Sequence, residues 1–196
     1  MDNLSKLLTF IFVSAMAYSC GPQSTKTEVS DSSEEYVEEE EEEDKSQRPS
    51  PPRTTTANIS GVNVTIDYSS PAVKGRQIFG DLEAYGKVWR TGANEATVFT
   101  NDADIKINGE ILPAGQYALF SIPGESEWTI IFNNVPDQWG AYNYDQSKDI
   151  LRVTVAANKQ ESVTERLLLS VNPEGVMSFA WENVSWTANI EPATAS

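Results

Sequence analysis

Residues 62 to 68 read Val-Asn-Val-Thr-Ile-Asp-Tyr, an apolar residue at every second position with polar ones between. That period leaves little choice. A pleated strand sends successive side chains to opposite faces, so this run makes a strand with one face buried and one wet. The same signal returns at 97–101, 104–107, 116–122, 128–133, 150–156, 165–171, 176–181 and 185–190. Turn residues separate these runs: Asn108-Gly109, Pro113-Ala114-Gly115, Pro123-Gly124 and the stretch from Asn172 to Gly175. Many short strands with such punctuation predict an all-β domain, an antiparallel β-sandwich of jelly-roll-like or barrel-like form. A short helical turn is expected near Asp81–Tyr85. Leu167, Leu168 and Leu169 stand in succession, which predicts that their strand is buried on both faces or covered by a loop.

The alternation begins at Ala57, and what precedes it is of another kind. Residues 7 to 17 read LLTFIFVSAMA behind Lys6. This run is about half the ~20 residues a membrane span needs and has the character of a signal-peptide core. Ala17-Tyr18-Ser19 leads into Cys20, the one cysteine of the chain. The arrangement resembles a bacterial lipobox, in which the cysteine is acylated, with palmitate for example, and the signal is cut before it. Gly21 in place of aspartate favours the outer membrane by resemblance to other lipoproteins. Residues 1–19 are therefore expected to be a lipoprotein signal peptide. Residues 20–56 are expected to be a disordered tether, because the acidic run Glu38 to Asp44 and the stretch RPSPPRTTT offer almost nothing to bury. Residues 57–196 are expected to be the β-sandwich domain. The expected partner through Cys20 is a membrane, and the expected location is the cell envelope, facing either periplasm or surface.

Charge narrows the function. Fourteen basic residues against 29 acidic ones give a net charge of −15, which disfavours nucleic acid as a partner. With no histidine and one cysteine, histidine-based triads and Cys/His metal sites are not available within the chain. Asn101, Asp102 and Asp104 make an oxygen-rich turn with too few ligands for calcium. No metal and no cofactor are expected.

Three constellations remain as candidate sites. In GKVWRTGANEAT (86–97) Trp89 is placed to fill the core, and Arg90 and Glu95 can form a bidentate bridge. They make either a buried polar staple or, with Asn94, the wall of a ligand cleft. In SSPAVKGRQIFG (69–80) Lys74 and Arg76 flank Gly75 on a loop, either as solvated charges or as an anion site. In PDQWGAYNYD (136–145) Trp139, Tyr142 and Tyr144 either cover one end of the sandwich or offer ring faces to a sugar. Together Lys74, Arg76, Arg90, Asn94, Glu95, Trp139 and Tyr142 are read as a binding site for a glycan or small polar ligand, without catalysis. The alternatives are a structural or interaction protein of the envelope, and a hydrolase pairing Glu95 with Asp81 or Asp145.

The stretches SPAVKGRQIFG, YGKVWRTGANEAT, NGEILPAGQYALFSIP, EWTIIFNN and QWGAYNYD resemble the bacterial family known as domain of unknown function 2911, from about Gly61 to Ile190. The resemblance implies a β-rich protein that is secreted or lipid-anchored. It implies no activity and supplies no catalytic residue.

Overall fold

The computed structural model describes residues 44–193. Cys20, the leader and the tether as far as residue 43 lie outside them. The described chain forms ten strands: β1 (Pro52–Ile59), β2 (Val62–Ser69), β3 (Thr97–Asn101), β4 (Ile105–Ile107), β5 (Glu110–Leu112), β6 (Gly115–Ile122), β7 (Glu127–Asn133), β8 (Asp149–Ala156), β9 (Asn158–Val171) and β10 (Val176–Pro192). Two single 3₁₀ turns, Lys45–Gln47 and Gln146–Lys148, are the helical pieces. Among the described residues no helix is long and apolar enough to cross a membrane. The strands pair antiparallel in a six-stranded sheet ordered β1-β2-β3-β6-β7-β8 and a four-stranded sheet ordered β5-β4-β10-β9. Their inner faces meet over one core, so the expected β-sandwich is what the chain forms.

Alternation settles which residues enter that core. In β2 the side chains of Val62, Val64, Ile66 and Tyr68 are buried, while Asn63 and Asp67 face out. β10 does the same with a change of phase. Met177, Phe179 and Trp181 point inward at odd numbers, then Trp186, Ala188 and Ile190 at even ones. A strict period of two cannot change parity, so an irregularity must absorb the difference. It does so around Glu182, whose φ is +54° and where the register to β9 shifts twice. The two strands expected at 176–181 and 185–190 are thus one strand with a bulge.

Three expectations are corrected. β1 begins at Pro52, so the boundary placed at 57 falls inside a strand. Only Ala57 and Ile59 of β1 are buried, and a polar edge strand carries no alternating signal. The leucine run is not buried on both faces: Leu167 and Leu169 are buried, but Leu168 is 51% exposed on the outer side of the sheet. Asp81–Tyr85 is not helical. It is a hydrogen-bonded loop in which Glu83 N–H donates to Ile78 O (2.8 Å) and Gly80 N–H to Glu83 O (2.9 Å).

The long connection from residue 70 to 96 closes one end of the sandwich. Ile78, Phe79 and Trp89 plunge from it into the core. Trp89 stacks on Trp181 at 5.7 Å, Phe79 meets Trp128 edge-on at 4.8 Å, and Phe179 stacks on Trp186 at 5.3 Å. Rings in these arrangements contribute roughly 0.5–1.5 kcal/mol per pair beyond the area they bury. On the outer face of the six-stranded sheet, Ala96, Ala118, Phe120 and Ile131 form a second, small apolar cluster. Tyr144 and Ala141 of the loop between β7 and β8 cover it, with the Tyr144 ring 5.1 Å from Phe120.

Candidate functional site

The stretch from Gly86 to Thr97 is a loop thrown out from a strand position. Trp89 exchanges two backbone hydrogen bonds with Ser121, both 2.8 Å, and Thr97 pairs with Leu119 two residues earlier on β6. Everything between Trp89 and Thr97 is therefore excess. It is closed by Thr97 N–H donating to Arg90 O (3.3 Å) and by the Thr97 hydroxyl donating to Thr91 O (3.0 Å). Trp89 Nε1 donates to Gly92 O (3.1 Å) and anchors the loop from within. Gly92 is required by close approach: a Cβ there would lie 3.0 Å from Thr97 Oγ1 and 3.1 Å from Ser69 O. Thr91 and Asn94 take positive φ, +53° and +59°.

The expected Arg90–Glu95 bridge does not form. The two residues sit at opposite ends of the loop, and the buried Arg90 Nε has no hydrogen-bond partner among the described residues. Glu95 accepts from Lys45 Nζ (2.9 Å) and from Arg48 Nη1 (2.9 and 3.0 Å), both in the segment before β1. Burial pushes its carboxyl up, but the hydrogen bonds from Lys45, the backbone and Arg48 outweigh that and hold it at about 2. Glu95 is thus ionised at neutral pH and has no proton to donate to a leaving group. Asp145, one of its expected catalytic partners, caps the 146–148 turn by accepting from Ser147 N–H (2.9 Å). The buried Arg90–Glu95 staple is thus replaced: Trp89 anchors the loop, and the cations on Glu95 come from residues 45 and 48.

This latch gathers three of the seven expected site residues. Glu95 pairs with Trp139 in an isolated antiparallel bridge, and Gly140 N–H donates to Asn94 O (3.1 Å). The Arg48 guanidinium lies 5.9 Å from the centre of the Trp139 ring. Asn94 Nδ2 donates to Ser50 O (3.2 Å) and Ser69 Oγ (3.3 Å), so both loops and the segment before β1 are tied together. Trp139 keeps 55% of its surface exposed, and Tyr142, close to Gly140, keeps 84%. In the aromatic loop it is Tyr144 that covers the sheet.

Lys74 and Arg76 belong to another place. Residues 73–76 form a tight turn closed by Arg76 N–H donating to Val73 O (3.1 Å), with Lys74 at φ +51° and Gly75 at φ +69°. Arg76 folds back on its own turn: Nε donates to Val73 O (3.0 Å) and Nη2 to Ala72 O (2.6 Å). Arg90 is half-buried, and its charge acts on Glu83 together with that of Arg76. Burial pushes the Glu83 carboxyl up to about 7, and those two charges pull only part of the way back.

A cavity of about 480 Å³ opens beside Arg76. Phe79 lies at its floor, on the margin of the aromatic core, and Tyr85 stands at its rim. Gln77, Asn158, Lys159, Glu182 and Asn183 supply polar groups. The β10 bulge builds one wall: left-handed Glu182 reaches back to accept the Ile78 N–H (3.2 Å), which fixes the loop over the strand. A smaller cavity, about 250 Å³, is lined by Pro49, Ser50, Ala72, Lys74 and Arg76. Of the expected site residues only Arg76 lines both. Sequence reasoning missed Tyr85, Asn158, Lys159, Glu182 and Asn183. The usable signal was the break in alternation between Trp181 and Ser185, which marks a bulge, and bulges gather at sites.

No curated protein and no solved structure matches the chain. A family model does: the chain belongs to the family described as "Protein of unknown function (DUF2911)", whose model matches residues 50–190, from just before β1 almost to the end of β10.

Proposed function

We propose that this protein is a binding module for a glycan or other small polar ligand, without catalysis of its own, and that the ligand occupies the cavity floored by Phe79. The observation that carries this reading is the cavity itself. Its volume of about 480 Å³ falls in the roughly 300–1,000 Å³ range of small-molecule sites. An aromatic floor and rim beside amide and charged groups suit a ligand with apolar ring faces and hydroxyl edges. Calorimetric titration with a panel of oligosaccharides tests it. Tyr85→Ala and Asn183→Ala should each weaken binding at least tenfold, while Trp139→Ala leaves it unchanged. The reverse pattern moves the site to the Trp139 loop.

For location, we propose a lipid anchor on Cys20 at the outer membrane. Its support is the apolar run at 7–17 followed by Ala17-Tyr18-Ser19-Cys20. Cys20→Ser should shift the protein from the membrane to the soluble fraction. A second reading, an interaction protein of the envelope, draws on Val135, Trp139 and Tyr142, which are 40%, 55% and 84% exposed on one loop. Cross-linking in intact cells that captures a single partner through this loop favours it.

A further inference from the structure

We propose that the smaller cavity beside Arg76 is an anion site, and that it takes the acidic group of the ligand whose polar body fills the larger one. The second half of this statement rests on the reading of the larger cavity given above; the first half does not. The class of ligand that follows is an acidic saccharide, carrying a carboxylate or a phosphate or sulfate ester.

Residues 44–193 carry 18 acidic and 12 basic side chains, yet this cavity is lined by two cations and no carboxylate. Lys74 and Arg76 are those cations, with Pro49, Ser50 and Ala72 completing the lining. Lys74 sits at φ +51°, in the left-handed region where Asn or Gly is the easier choice. What lysine adds there is an ammonium group. Among the described residues neither Lys74 Nζ nor Arg76 has an ion-pair partner.

Geometry supports the charge. Arg76 is held by the carbonyls of Ala72 and Val73, so its guanidinium is already positioned. The Nη1 group has no acceptor among the described residues and is free to bond an oxyanion. A positioned guanidinium beside an ammonium is the arrangement that forms charge-assisted hydrogen bonds to carboxylate or phosphate. Glu165 is one carboxylate nearby, and its Oε1 already accepts the Lys74 N–H (2.9 Å); Glu83, on which the Arg76 charge acts, and Glu125 and Glu182, which line the larger cavity, are others. Arg166 follows Glu165 and donates to Ser70 O (3.1 Å) and Pro49 O (3.5 Å), adding a third cation to the neighbourhood. The opposite wall is held by the latch, since Asn94 Nδ2 donates to Ser50 O. Because Arg76 lines both cavities, a ligand in the larger one that bears an acidic substituent next to Arg76 reaches both cations.

The test titrates the full chain with a uronic-acid trisaccharide, its carboxyl-reduced neutral counterpart and inorganic phosphate, following heat and backbone amide shifts. The acidic trisaccharide should bind at least tenfold tighter than the neutral one at low salt. That gap should narrow as salt rises, and phosphate should shift the amides of residues 72–76. Lys74→Met should remove most of the preference. It makes a sound test because the Lys74 side chain has no partner to lose, whereas Arg76→Met also frees two carbonyls. Lys87→Met is the control cation and should change nothing. Equal binding of the two trisaccharides overturns the link between the cavities and leaves the larger one as a neutral-ligand site; a preference that survives Lys74→Met assigns acid recognition to another group and overturns the proposal. Phosphate shifting residues 72–76 while neither trisaccharide binds supports the anion site and sinks the reading of the larger cavity. No phosphate shift and no acid preference overturns the anion site outright.

Discussion

Two of the fastenings that hold the connection from residue 70 to 96 on the sandwich work in different ways. Near the middle of that connection, Phe79 and Trp89 are driven into an aromatic core among Trp128, Phe179 and Trp181. Near its end, Asn94 is held by hydrogen bonds that its side-chain amide donates, and Glu95 by Lys45 and Arg48. The first fastening is apolar and indifferent to charge. The second is ionic, partly wet, and depends on protonation and salt. The difference shows what each is for. The aromatic fastening sets the floor of the large cavity and the fold itself. The ionic one draws the segment before β1 against the domain and sets a wall of the small cavity.

Four experiments separate the two fastenings, in descending order of expected effect. Trp89→Ala removes a ring that is 3% exposed, together with its stacking on Trp181. By the usual scale for such truncations it should cost about 3–5 kcal/mol, read as a lower midpoint in urea. A loss under about 1 kcal/mol would mean that the loop is not anchored there.

Glu83 comes next; it lies between Phe79 and Trp89, within the aromatic fastening. Its carboxyl is raised in the fold to about 7 from an ordinary 4.5. The folded state therefore binds the proton more tightly than the unfolded chain. The protonated form is fully compatible with folding below about pH 4.5, and stability falls as pH rises from there through 7. The span should amount to roughly 2–3 kcal/mol, and Glu83→Gln should flatten that part of the profile. An unchanged slope in the variant assigns it to another group.

Glu95 has the opposite sign. Its carboxyl is lowered to about 2, so its contribution is present above about pH 4.5 and is lost as pH falls towards 2. Its side chain is 38% exposed, and solvent screening keeps the effect small, below about 1 kcal/mol. Glu95→Gln should speed proteolysis between residues 44 and 50 with little change in global stability. A large fall in the global midpoint would make the latch part of the core after all. Smallest of all, Leu168→Lys should shift stability by no more than about 0.5 kcal/mol, because that side chain faces outward between two buried neighbours.

The strands and the core were legible because half-burial writes itself as period two. β2, β3, β6, β7 and β8 carry that record, and Trp89 was readable as core from its place at a strand end. β1 was not legible: an edge strand made largely of Thr and Arg buries too little to show a pattern. The leucine run misled for the reverse reason, since an apolar residue on an exposed face costs little and needs no cover. Of the seven residues expected to share one cleft, Asn94, Glu95 and Trp139 come together, while Lys74 and Arg76 lie at another place. The partner of Glu95 was misassigned because sequence proximity favoured Arg90, while the cations that reach it lie far back along the chain at 45 and 48.

By itself the amino-acid sequence determined the kind of protein: pleated strands, their turns, which faces are apolar, and an excess of acidic residues. Those properties are local, set by neighbours one or two residues apart. Tertiary structure alone decided that the β10 bulge at Glu182 would meet the loop at Ile78, that Arg76 would lie between two cavities, and that the segment before β1 would close on Glu95. Each of those contacts joins residues remote in the chain. Their energy comes from surfaces that exist only once two sheets have packed, so no short window of sequence contains it.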